Sequence, residues 1–302
     1  MTMTRPADLD AALETIPALA DWPADDWQIE RIGGVTNRNY RLRRRPPSGG
    51  DAPADDFVLR LPGSGTSSYL NRLAGIHNAT RAAAVGIAPP VLFADADRGW
   101  QLSHYLAGSR PIEAVELRRP AVLMAIGDLL GRLQREGGVF QHELRPFAIA
   151  DHYLDLAPQP DLLRLRHGAQ AIEQEIEGAS VPLVPAHIDP NPSNFLLTED
   201  NRLYLIDWEF SAMADPAWDL AAIALEGDLS ALEINTLLSA AGYEADADTL
   251  RRLDLFRGAL CLVASSWAHV EIAAGNDSVD LRRFAEHRQA ALAHWLQVLK
   301  RN

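Results

Sequence analysis

Residues 187 to 210 read HIDPNPSNFLLTEDNRLYLIDWEF. Within this stretch Asp189, Asn194 and Asp207 offer a carboxylate, a neutral amide and a second carboxylate. One carboxylate can act as a general base. The amide oxygen and the other carboxylate are hard donors of the kind that hold Mg²⁺. Transition-metal chemistry fits less well, because the sequence has no H-x-x-x-H pair and no cysteine cluster. Asp and Asn beside Pro190 and Pro192 are also ordinary turn formers, so these residues alone do not define a site.

The spacing adds information. Asp189 and Asn194 are five positions apart, as are the Asp and Asn of the protein-kinase catalytic loop H-R-D-x-x-x-x-N. In that loop the Asp accepts the proton of the attacking hydroxyl and the Asn supplies oxygen to Mg²⁺. Leu203 to Ile206 read as a short buried strand, and Asp207 at its end matches the metal-binding Asp of D-F-G. Two prolines stiffen the turn between Asp189 and Asn194.

Phosphoryl transfer also needs a turn that covers phosphates and a cation on a nearby strand. In RIGGVTNRNYRL, Gly33 and Gly34 separate two predicted strands, and Thr36 and Asn37 follow. Backbone N–H groups of such a turn can hold phosphate oxygens. Arg60, in FVLRLPG, is the candidate cation. His104, Tyr105 and Leu106 fall where the chain is expected to cross between lobes, and backbone groups there would meet adenine.

The elements that must position these residues divide into two kinds. Residues 8 to 27 read as a short helix, then 29–32, 39–43, 57–61, 91–93 and 100–106 as strands, with a helix at 71–85. Residues 44 to 56, rich in Pro, Gly and charge, read as an exposed loop. From about residue 107 the pattern becomes helical, at 119–135, 161–177, 217–226, 230–240, 247–274 and 278–299, with short strands near 195 and 205. The expected division is residues 1–106 as a nucleotide-binding lobe and 107–302 as a catalytic and substrate-binding lobe.

Bulk properties bound the partners. The chain has 302 residues and a net charge of −13, which disfavours nucleic acid and is compatible with a small cationic substrate. No apolar run is long enough to span a bilayer, and the N-terminal residues lack the apolar segment of a secretion signal. With Cys261 as the one cysteine, no internal disulfide can form and a reducing, cytoplasmic setting is expected. The sequence leaves the oligomeric state open.

GGVTNRNYRL, VLRLPG, HIDPNPSNFL and LYLIDWEFSAMADPAWDLA, taken together and in this order, resemble the choline/ethanolamine kinase family of the aminoglycoside-phosphotransferase-like group. The resemblance runs from about residue 30 to about residue 290, and Asp-Trp-Glu followed by DPAWDLA is its most specific part. It implies an α+β, two-lobed protein-kinase-like fold with a small β-rich N-lobe and a larger, mostly helical C-lobe. It also implies ATP and Mg²⁺. Carried over by motif, Asp189 resembles the catalytic base, Asn194 and Asp207 the metal ligands, and Arg60 the strand residue that meets the nucleotide phosphates.

The same resemblance points to the acceptor. Only about ten residues separate Asp207 from the helix near Trp218, too few for the long activation loop that binds a peptide, so a small alcohol is expected. Choline has no N–H donor and must be recognised by aromatic faces and carboxylates, each cation–π contact contributing about 0.5 to 2 kcal/mol. Glu226 stands where the family presents a carboxylate to the ammonium, and Trp267 resembles its cage tryptophan; either could equally be a solvated helix end or core packing. Trp218 and Asp219 are expected to tie the loop to the following helix. The reading is therefore ATP- and Mg²⁺-dependent phosphorylation of choline, with ethanolamine, thiamine or an aminoglycoside-like alcohol as alternative acceptors.

At two positions the chain departs from the family pattern. Gly75, in NRLAGIHNATRAA, stands where relatives usually carry a Glu that pairs with the strand cation, and it weakens the helix by about 1 kcal/mol relative to Ala. Ile188 stands where relatives often have Asn. The missing acid favours, as an alternative of a different class, a catalytically weak nucleotide-binding pseudokinase.

Overall fold

The computed structural model describes residues 5–21, 23–33, 37–44, 55–63, 71–276 and 278–300. The chain forms two compact units, Met1–Arg110 with Leu196–Phe210, and Pro111–Phe195 with Ser211–Asn302.

The first unit opens with α1 (Ala7–Thr15) and α2 (Pro17–Ala20), where Pro17 at the first helical position starts a new turn. Strands β1 (Trp27–Gly33), β2 (Asn37–Arg44) and β3 (Asp56–Pro62) follow, then α3 (Arg72–Ala84), β4 (Val91–Asp95) and β5 (Trp100–His104). The strands form one antiparallel sheet in the order β1-β2-β3-β5-β4. β3 alternates in burial along its length. Phe57, Leu59 and Leu61 enter the core with Leu9, Ile16, Trp27 and Leu102, and Arg60 therefore faces the other side of the sheet. The expected loop at 44–56 lies largely outside the described residues, as do Gly34 and Thr36 of the expected phosphate-binding turn.

The chain leaves this unit within β6 (Arg110–Pro111) and enters the helical one. There α4 (Pro120–Glu136), α5 (Pro146–Leu156), α6 (Pro160–Gly168) and α7 (Gln170–Gly178) precede β7 (Val184–Ala186). α4 buries Leu123, Ile126, Leu129, Leu130 and Leu133, the stripe expected from their spacing. The helix expected over 161–177 is two helices, broken where Ala169 takes up φ −86°, ψ 2° after Gly168. α5 was not expected from the sequence. It begins at Pro146, again at the first helical position.

The chain returns to the first unit within β8 (Phe195–Leu197) and continues through β9 (Leu203–Leu205) to Phe210. The second unit resumes with β10 (Ala212–Ala214), which pairs antiparallel with β7. Helices α8 (Ala217–Glu226), α9 (Ala231–Ala241), α10 (Ala247–Ala273) and α11 (Val279–Leu299) complete it. Ser230 and Glu233 form a reciprocal capping box at the start of α9, and Gly242 ends that helix with φ 91°. Among the described residues no helix is long and apolar enough to cross a membrane.

Candidate active site

In the helical unit, the pairing of Ala186 with Ala212 brings the end of β7 beside the start of β10. His187 and Ile188 follow β7. Asp219, on the first turn of α8, accepts the backbone N–H of His187 at 2.7 Å and of Ile188 at 2.9 Å. The indole N–H of Trp218 donates to the Ile188 carbonyl at 2.9 Å. Two adjacent residues of α8 thus hold both faces of one peptide segment, as expected of this pair. Asp219 is fully buried, and burial pushes its carboxyl up to about 6 against the pull of the two amides. Asp215 anchors the start of α8 by accepting the Ala217 N–H at 2.9 Å, and Arg252 donates to its other oxygen.

Ile188 has φ 75°, in the left-handed region that a β-branched residue rarely occupies. Asn tolerates that conformation better than a β-branched residue does.

Beyond it, Asp189 and Asn194 come together. The Asn194 amide nitrogen donates to the Asp189 carbonyl at 2.9 Å and to its carboxylate Oδ2 at 3.3 Å. Asn191 donates to the same Oδ2 at 3.0 Å and caps the turn Pro192–Asn194 by accepting the Ser193 N–H. With its nitrogen committed to Asp189, Asn194 keeps its amide oxygen available. That oxygen receives no hydrogen bond among the described residues. This is the donor set a hard cation would use.

In the sheet unit, β9 delivers Asp207 in the left-handed conformation, with φ 68°. The turn Trp208–Phe210 then brings Glu209 to Arg60. The Arg60 Nη2 donates to Glu209 Oε2 at 2.5 Å and lies 3.5 Å from Asp207 Oδ1. Asn37, buried at the start of β2, donates to the same Glu209 oxygen. Glu209 itself is buried. Gly75 explains how the turn comes so close: a Cβ there would lie 3.2 Å from Glu209 Cα and 3.3 Å from the Trp208 carbonyl oxygen. A small cavity beside this pair is lined by Arg60, Arg72, Gly75, Ile76 and Glu209.

Glu209 escaped the sequence reading. It is the second acid of Asp207-Trp208-Glu209, and nothing local in the sequence ties it to Arg60. Tyr105 donates its backbone N–H to the Asp56 carbonyl at 2.9 Å, and its ring carries the Arg41 guanidinium 3.6 Å from its centroid.

Glu226 and Trp267 both lie in the helical unit. Glu226, the last residue of α8, pairs with Arg288 of α11. Trp267 of α10 stands edge-on to Phe284 of α11, with centroids 6.4 Å apart. Among the described residues no group of three or more His, Cys, Asp or Glu is arranged to hold a metal.

Residues 28–256 match the phosphotransferase enzyme family, and the chain belongs to it. Protein LicA of Haemophilus influenzae is 32% identical over 207 residues, which is 66% of this chain and 58% of that protein. The chain thus matches little more than half the length of this relative. A choline/ethanolamine kinase family protein from Mesorhizobium loti superposes with a TM-score of 0.76 at 28% identity, over 98% of this chain and 99% of that one. Choline kinase LicA from Streptococcus pneumoniae superposes with a TM-score of 0.77 at 23% identity, over 90% and 93% of the two chains. The kinase-like α+β fold and the kinship expected from the sequence motifs are both borne out.

Proposed function

We propose that the protein is an ATP- and Mg²⁺-dependent kinase that phosphorylates the hydroxyl of choline. In this reading residues 1–106 form the nucleotide-binding lobe and 107–302 the catalytic and substrate-binding lobe. The observation that carries it is the loop from His187 to Asn194. Asp219 grips the two amides that precede Asp189, and Asn194 bonds to Asp189 through nitrogen alone. A loop held in this way presents one carboxylate and one amide oxygen in fixed relation, which positioning-based catalysis requires.

Asp189 takes the proton of the acceptor hydroxyl. Arg60, held by Glu209 and lying beside Asp207, meets the nucleotide phosphates together with Gly34, Thr36 and Asn37, and the backbone near Tyr105 meets adenine. Asn194 and Asp207 would hold Mg²⁺, which when bound neutralises charge on the transferring phosphoryl group. Glu226 and Trp267 face the acceptor's ammonium. The pseudokinase alternative rested on the acid missing at position 75, and Glu209 supplies a carboxylate to Arg60 in its place. A cytoplasmic location belongs to the same reading, supported by the single, buried thiol of Cys261.

Choline as the acceptor is supported by the names of the relatives and by the short stretch from Asp207 to α8. The test is ADP release over a panel of choline, ethanolamine, thiamine and an aminoglycoside with ATP and Mg²⁺. Choline is expected to give the highest kcat/KM. Turnover with another alcohol but not with choline would move the acceptor assignment, and turnover with none would remove the enzyme reading.

A further inference from the structure

Glu226, Arg288, Phe284 and Trp267 form one cluster drawn from α8, α10 and α11. The Arg288 guanidinium bonds to Glu226 Oε1 and lies 4.9 Å from the centroid of the Phe284 ring. Phe284 in turn meets the edge of Trp267 at an interplanar angle of 86°. Arg288 is only 6% exposed, and its Nε has no acceptor among the described residues. The indole nitrogen of Trp267 is likewise buried without an acceptor among them. Glu226 retains access to solvent, with a third of its side chain exposed (33%).

A quaternary ammonium is recognised by a carboxylate and by aromatic faces, because it has no hydrogen to donate. Here both kinds of group are already engaged by one cation of the chain itself. The carboxylate of Glu226 is neutralised by Arg288, and the ring of Phe284 is covered by the same guanidinium.

We propose that Arg288 is an internal competitor for the acceptor's ammonium group and sets the specificity of the acceptor site by occupying Glu226 and Phe284. The proposal rests on the reading of Glu226 and Trp267 as acceptor-facing residues. It predicts that this chain binds a quaternary ammonium weakly, since an incoming cation meets a carboxylate whose charge is balanced. Removing the guanidinium frees both groups for the ligand.

Tetramethylammonium tests this directly. It carries the recognised group but no hydroxyl, so its binding does not depend on turnover. Calorimetric titration of the full chain is compared for wild type, R288M, R288K and the double variant E226Q/R288M, each first shown to be folded by circular dichroism. R288M is expected to bind tetramethylammonium on the order of tenfold tighter than wild type, the scale of one or two cation contacts. R288K, which keeps a positive charge, should gain less, and the double variant should lose the gain. Binding by R288M no tighter than wild type, with R288M folded, would overturn the proposal; if R288M is unfolded, equal affinities of wild type and R288K would do so. If the gain appears while wild type releases no ADP with choline, the competition stands and the choline-kinase reading fails.

Discussion

Glu209 accepts a hydrogen bond from Arg60 at 2.5 Å, across 149 positions of sequence, and closes a contact that the helix residue at 75 cannot make. The pair is charge-assisted, with Glu209 buried and Asn37 donating to the same oxygen. E209Q keeps an oxygen that can accept from both donors but removes the negative charge that strengthens the bond to Arg60. A charged hydrogen bond of this kind is worth about 2 kcal/mol, so kcat/KM for ATP should fall about 30-fold. E209D, which keeps the charge on a shorter arm, should recover part of the loss. Wild-type kinetics in E209Q would show that Arg60 needs no carboxylate partner.

The two N–H groups that Asp219 accepts make its substitution by Asn costly, because both partners donate and one amide nitrogen of Asn would face a donor. A pH signature accompanies this. Burial raises the carboxyl from about 4 to about 6, so the folded chain holds this proton more tightly than the unfolded chain. The group's contribution to stability is complete below about pH 4 and is lost as pH rises through about 6, by at most about 3 kcal/mol. Urea unfolding of wild type and D219N between pH 4 and 7 should show a stability difference that shrinks with rising pH. A difference that grows with pH would mean the two amides outweigh burial.

Ile188 holds a left-handed backbone with φ 75°. That conformation costs roughly 1 to 2 kcal/mol for a residue other than Gly, and Asn visits it routinely. I188N should raise unfolding free energy by about 1 kcal/mol, read from the urea midpoint at an unchanged m-value. A lower midpoint would show that the partly buried Ile side chain contributes more than the backbone strain removes.

D207N keeps the shape of Asp207 and removes its charge. If that carboxylate holds Mg²⁺, the variant should need on the order of tenfold more Mg²⁺ for half-maximal activity, with kcat partly restored at high metal. An unchanged Mg²⁺ dependence would remove Asp207 from the metal-binding role.

Much of this was legible in the sequence for physical reasons. The alternation of Phe57, Leu59 and Leu61 is visible in the sequence and is what puts Arg60 on the opposite face of its strand. The leucine and isoleucine spacing of residues 119–135 fixed α4 to within a residue at each end. The five-residue interval from Asp189 to Asn194 anticipated their side-chain contact. Other features were not accessible in the same way. Strands β7 and β10 are three residues each, too short to show a period, and exist because they pair with one another. Glu209 could not be assigned to Arg60 without knowing that Gly75 admits the Asp-Trp-Glu turn, a fact about approach distance that no local pattern encodes. The pairing of Glu226 with Arg288 joins residues 62 positions apart on separate helices, and helical periodicity says nothing about it.

The central claim is that Asp189 draws the proton from the acceptor hydroxyl. Its most direct test is the steady-state rate of choline-dependent ADP release by D189A beside that of wild type, with ATP affinity measured on the same preparations. The account predicts that turnover falls by at least about a hundredfold while ATP affinity stays within about threefold, as expected for loss of a positioned base. Turnover equal to wild type in D189A would contradict it.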